Sequence, residues 1–151
     1  MAEQKLDESD RYILDALKRD ARQTIAEISD QLGIPRATVH ERIMRMKKAG
    51  VIRRFTILED HAKLGLPTLS FVFAEYDRHS KTSLRDVSHD LAKIKGVTGV
   101  YILGGEWSLL IKVRAKDMEQ MGTLVLDRIG ATPGVSKTCA MPCFEAAKEE
   151  C

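Results

Sequence analysis

Seven basic side chains, Arg36, Arg42, Arg45, Lys47, Lys48, Arg53 and Arg54, stand between positions 33 and 55 against a single acid, Glu41. The first 32 residues show the opposite balance, five basic side chains against eight acidic ones, and the whole chain nets only +2. A basic cluster of this density suits a row of phosphates, where guanidinium and ammonium groups displace condensed counterions. Other chemistry-bearing residues are sparser. Cys139-x-x-x-Cys143 with His61, His79 or His89 has the types for a metal or redox site. On a strand, however, residues four apart lie about 13 Å from each other, too far for one tetrahedral ion unless Pro142 bends the chain sharply. With Cys151 the cysteine count is odd, so all three are read as free thiols. There is no nucleophile–base pair, paired-carboxylate motif or phosphate-cradling glycine loop, so no catalytic residue, metal or cofactor is assigned and an enzyme is not expected.

The basic cluster needs elements to present it. The segment 7–19 puts Ile13, Leu14 and Leu17 at helical spacing behind Asp7 as N-cap. Thr24 and Glu27 form a T-x-x-E capping box ahead of Ile28 and Leu32, and Gly33 stands where that short helix would end. Ile34-Pro35 opens a third run in which Val39, Ile43 and Met46 recur at i, i+4 and i+7 until Gly50. Three helices with a short turn between the second and third have the spacing of a helix-turn-helix, with a small helical cap domain as the bland alternative.

Beyond Gly50 the pattern changes. Val51, Ile52, Phe55 and Ile57 suggest a strand in a linker over 51–66, closed by Gly65 and Pro67. A strand over 68–77 follows, then a helix over 82–95 with Leu84, Val87, Leu91 and Ile94 on one face. Strands over 97–103 and 107–115 meet at Gly104-Gly105-Glu106, the second placing Trp107, Leu109, Ile111 and Val113 on one side. Asp117 caps a helix carrying Met118, Met121, Val125 and Ile129, and Pro133-Gly134 turns into a last strand. The expected fold class is α+β: a three-helix, winged helix-turn-helix domain at 1–50, a linker strand at 51–66 and a ferredoxin-like βαββαβ domain at 67–151. Helices cover only one face of such a sheet, so the other needs a partner, which a homodimer supplies.

No run approaches the roughly 20 apolar residues of a membrane span, and the opening MAEQKLDESD lacks a signal-type apolar segment, so a cytoplasmic protein is expected.

LDESDRYILDALKRDAR, TIAEISDQLGI, VHERIMRMKKAGVI, GVTGVYILGGEWSLLIKV and the later PGV resemble, in that order and over essentially the whole chain, the Lrp/AsnC (leucine-responsive, feast/famine) regulators. The resemblance implies double-stranded DNA binding by paired N-terminal domains and a homodimer joined through the C-terminal sheets, assembling further to a tetramer or octamer. It also implies an amino acid or related metabolite as effector, with Gly105, Glu106, Trp107 and Ser108 the matching hairpin residues. Two positions depart from the pattern. Pro35 replaces the serine cap of the third helix, losing a hydrogen bond but keeping a helix-compatible φ. Ser108 replaces the usual aspartate, so a carboxylate suited to an amino group is missing and amino-acid sensing is altered or lost.

With Val39, Ile43 and Met46 inward, steps of about 100° put Ala37, Glu41, Met44 and Lys48 outward, with Thr38 and Arg45 alongside. Because the N-terminal part of a recognition helix reaches base edges, Arg36, Thr38, His40, Glu41 and Arg45 are assigned to readout. Lys47, Lys48, Arg53 and Arg54 lie where the helix leaves the groove and are assigned to phosphates. His40 reads equally as contact or bystander, Met44 as an exposed helix former and Arg42 as a structural ion-pair or snorkelling residue. Arg45→Ala is expected to weaken specific binding with little change in folding.

Overall fold

The computed structural model describes residues 5–148. The chain divides into two compact units, 1–57 and 58–151. The N-terminal unit holds three helices, α1 (Glu8–Arg19), α2 (Ile25–Leu32) and α3 (Arg36–Lys48). Local side-chain chemistry starts the first two. Asp7 accepts from the Asp10 backbone N–H while the Asp10 carboxylate accepts from that of Asp7, a capping box built from two aspartates. Thr24 and Glu27 form the second box, and Gly33 ends α2 in the left-handed region at φ 65°. Ile13, Ala16, Ile28, Val39 and Met46 form a fully buried core, with Leu14, Leu17 and Ile43 packed against it. One heptad-like stripe from each helix therefore fixes which face of α3 looks outward.

The C-terminal unit is a four-stranded antiparallel sheet in the order β2-β3-β1-β4, made of β1 (Thr68–Tyr76), β2 (Val97–Ile102), β3 (Leu109–Ala115) and β4 (Val135–Pro142). Two helical connections cover one face: α4 (Leu84–Ala92), capped by Ser83, and α5 (Met118–Thr123), which widens into a π-helical turn over Leu124–Ile129. In that turn the Gly130 N–H donates to the Val125 carbonyl five residues back, at 2.8 Å. Val72, Ile111, Val113, Val87, Leu91 and Ile129 are fully buried between sheet and helices. Residues paired across β1–β3 and β1–β4 share a face, so Phe71, Phe73, Leu110, Lys112, Cys139 and Met141 line the side that the helices leave bare.

Three expectations need correction. Residues 51–66 hold no strand, because a strand requires a ladder partner and, among the described residues, all strand pairing lies among β1 to β4. Met118 is 56% exposed: it is the first residue of α5, and the inward set begins one turn later at Met121. Trp107 does not share the side of Leu109, since β3 starts only at Leu109 and the indole instead packs on Phe73, at the bare face. Cys139 and Cys143 are free thiols, while Cys151 lies outside the described residues.

Candidate functional site

The surface of α3 follows from how it is anchored. Val39 and Met46 are buried and Ile43 packs beside them, which leaves Arg36, His40, Glu41, Lys47 and Lys48 exposed and Thr38 half-buried. Pro35 supplies no side-chain cap; its carbonyl accepts the Thr38 N–H at 2.9 Å. At the other end Lys47 and Lys48 lie in the last turn, where positive charge also complements the helix dipole. Gly50, at φ 75°, turns the chain so that the Val51 and Ile52 N–H groups both donate to the Met46 carbonyl. Arg53 and Arg54 follow, both exposed, and the Lys47 ammonium stands 5.9 Å from the Phe55 ring centroid. The sequence-assigned base readers and phosphate binders therefore emerge on one helix and the segment that leaves it.

Arg45 is the exception to a purely outward role. Its Nη2 donates to both oxygens of Asp10, at 2.8 and 2.7 Å, and Asp10 is only 1% exposed. Arg42 completes the network, donating through Nη1 to Asp10 at 2.9 Å and to Asp7 at 2.6 Å. A carboxylate removed from water in this way needs charged donors, and the two arginines provide them. Against the expectation that Arg45→Ala would leave folding nearly untouched, this ion pair ties α1 to α3, so the substitution is expected to cost stability as well. Sequence reasoning missed Asp10 as the hub, because a partner 35 positions away leaves no periodic trace.

The hydrogen bond from Arg42, followed by that from the Asp10 backbone, holds the Asp7 carboxyl below its ordinary value of 3.8. A carboxylate depressed in the folded state adds stability above the unfolded value and loses it as pH falls through the folded one. Thermal unfolding of the parent chain and of Asp7→Asn, followed from neutral pH downward, is therefore expected to differ most above 3.8 and to converge in more acid solution. A gap independent of pH would remove this linkage.

A family model described as Lrp/AsnC ligand binding domain matches residues 69–151, and one described as winged helix-turn-helix DNA-binding matches residues 6–53. A relative in Pyrococcus abyssi, named as an HTH-type transcriptional regulator, is 46% identical over 145 residues, covering 96% of this chain and 97% of its own. The chain belongs to the Lrp/AsnC family. It is a transcription regulator with a DNA-binding and a ligand-binding domain; its relatives are named as regulators, not enzymes. Among solved structures, an AsnC-family regulatory protein from Pyrococcus furiosus is similar at 31% identity and a TM-score of 0.78, covering 95% of this chain and 93% of that one. A Neisseria meningitidis regulator, solved as a complex with L-Met, shares the fold at 22% identity and a TM-score of 0.89, with 97% and 94% covered.

In this Lrp/AsnC chain the hairpin joining β2 to β3 closes with the Leu103 N–H donating to the Ser108 carbonyl at 2.9 Å. Gly105 and Glu106 are exposed at its tip, and Trp107 is half-buried 5.9 Å from Phe73. The Lys137 ammonium stands 5.2 Å from the indole centroid, a cation–π contact across to β4. Ser108 is held by its main chain and its side chain together: its N–H donates to the Ala74 carbonyl and its Oγ accepts the Tyr76 N–H at 3.2 Å. Phe73, Tyr76 and Lys137 thus belong to the hairpin's surroundings, and only the long-range strand register reveals them. No helix of the described residues is long and apolar enough to cross a membrane.

Proposed function

We propose that two copies of this regulator bind double-stranded DNA sequence-specifically, each placing α3 in a major groove. What supports the reading is one arrangement: the buried Val39 and Met46 turn Arg36, His40 and Glu41 outward together in the N-terminal part of the helix. Arg36, Thr38, His40, Glu41 and the outer part of Arg45 read base edges, arginine suiting guanine and Glu41 a cytosine amino group. Lys47, Lys48, Arg53 and Arg54 bind phosphates and set register. The bare sheet face, with Phe71, Phe73 and Leu110 half-buried and Met141 51% exposed, is the surface on which a second copy packs, and dimers assemble further to a tetramer or octamer. The protein acts in the cytoplasm, where its DNA lies.

The test is titration against labelled DNA from upstream of its own gene and against a scrambled duplex, at two salt concentrations, with and without amino acids. Preferential, salt-weakened binding is expected. Equal binding to both duplexes defeats sequence-specific readout.

For the effector, the same reading places an amino acid or related small metabolite at Gly105, Glu106, Trp107 and Ser108. The meningococcal neighbour's L-Met complex and the ligand-binding family model support that class. Because the Ser108 hydroxyl is engaged as an acceptor by Tyr76, it offers an ammonium group less than a carboxylate would. Ser108→Asp retains an acceptor for that N–H and adds charge. Calorimetry is expected to show amino acids binding the variant on the order of tenfold tighter, about 1.4 kcal/mol. Equal affinities would show that position 108 does not contact the amino group.

A further inference from the structure

The C-terminal unit contains a cleft of about 580 Å³ at the end of the sheet remote from the hairpin. Val97 opposes Val113 and Ile102 opposes Leu109, so the β2–β3 ladder puts about 14–17 Å between the cleft end and the hairpin end at ordinary strand rise. Gly96, the turn from α4 into β2, closes one wall. At its φ of +98° a Cβ would stand 2.9 Å from the Arg114 carbonyl oxygen and 3.0 Å from Leu124 Cδ1, so only glycine lets the turn lie against both β3 and the π-helical turn.

The lining divides by chemistry. Leu66, Ile94 and Leu124 supply apolar surface, and Lys93, Lys95, Arg114 and Arg128 supply four cations, with no carboxylate among the lining residues. Lys93 is paired at the surface with Asp90 at 2.7 Å, whereas Lys95 and Arg128 take part in no ion pair among the described residues. Gln120 uses its carbonyl oxygen to accept the Lys116 N–H, leaving its amide group to act as a donor. Thr123 gives its hydroxyl proton to the Glu119 carbonyl. A ligand here would meet cationic donors and aliphatic walls. The ammonium group of an amino acid would meet like charges and no carboxylate among the lining residues, at a cost that an anion avoids.

We propose that this cleft binds an organic carboxylate with an aliphatic body and no ammonium group, the chemistry of a 2-oxo acid, as a site separate from the hairpin. The site does not depend on how the hairpin treats amino acids.

Calorimetry on the full chain with 2-oxo acids of three to six carbons, and with leucine beside its own 2-oxo acid, tests it directly. The two members of that pair share a side chain and a carboxylate and differ at Cα, where leucine carries the ammonium group. The oxo acid is expected to bind at least about tenfold tighter than leucine at this cleft, with amide shifts in nuclear magnetic resonance centred on Lys95, Gly96 and Thr123. Lys95→Gln combined with Arg128→Gln, both exposed positions, should weaken that binding by at least about tenfold while the melting temperature holds. Three results overturn the proposal: no binding across the set, shifts confined to residues 105–108, or undiminished binding by a double variant that remains folded.

Discussion

Asp10→Ala is expected to lower the stability of the N-terminal unit by about 2–3 kcal/mol, the range for losing charged hydrogen bonds to a buried carboxylate. The estimate stays below the full cost of breaking a buried ion pair because Arg45 and Arg42 keep 48% and 23% of their side chains exposed and can rehydrate. Three losses coincide. The capping-box acceptor for the Asp7 N–H disappears, Arg45 loses both oxygens it grips, and Arg42 retains only Asp7. For a unit of this size the change corresponds to a fall on the order of 10 °C or more in Tm. Thermal unfolding followed by far-ultraviolet circular dichroism measures it, with Arg45→Ala expected to cost less because Asp10 keeps Arg42. A melt unchanged by Asp10→Ala would show that the network is incidental to stability. The same variant should lose DNA affinity beyond what its folded fraction explains, since α3 would be held to α1 only by Arg42–Asp7 and the apolar core.

Replacing Lys47, Lys48, Arg53 and Arg54 together with alanine is expected to act on binding alone. All four are exposed, and among the described residues their one ring contact is that of Lys47 with Phe55, so the melt should move little. Each phosphate contact removed takes about 0.9 from the slope of log affinity against log salt, so losing four should flatten it by about 3–4. Discrimination between operator and scrambled duplex should survive, because phosphates carry no sequence. Filter-binding or anisotropy titrations across several salt concentrations decide the matter. An unchanged slope would move the phosphate contacts to other residues.

Much of this protein could be read from its sequence where structure is set by neighbours along the chain. Thr24 and Glu27, Gly33 and Asp117 announce helix ends because their side chains or missing Cβ act on backbone groups two to four residues away. The alternation of Leu109, Ile111 and Val113 likewise declares a strand with one buried side. What escaped depends on partners brought in from afar or on a change of helical period. The Asp10–Arg45 pair joins opposite ends of the first unit, and Trp107 leaves its expected side to meet Phe73. Met121, Val125 and Ile129 recur at intervals of four, which suits an α-helix well enough to conceal the wider turn that Val125 and Ile129 occupy. The outward face of α3, to which DNA contact is assigned as a proposal, was legible because burial of Val39 and Met46 determines what is left outside. The cleft beside Gly96 was not, since its lining is gathered from four separate stretches of chain.

The strand order also sets a timetable for making the protein. The three helices of the first unit pack through local contacts and can form as soon as they leave the ribosome, on the fast side of folding times. β1 must wait. Phe73 meets Leu110 on one side and Cys139 on the other, so the central strand gains its second neighbour only when the last strand has been synthesised. Until then its run of Leu69, Phe71, Val72 and Phe73 is an unpaired apolar edge, open to association with other nascent chains. Stop codons or truncations that remove β4 should therefore yield chains that retain a folded helical head and aggregate through their tails.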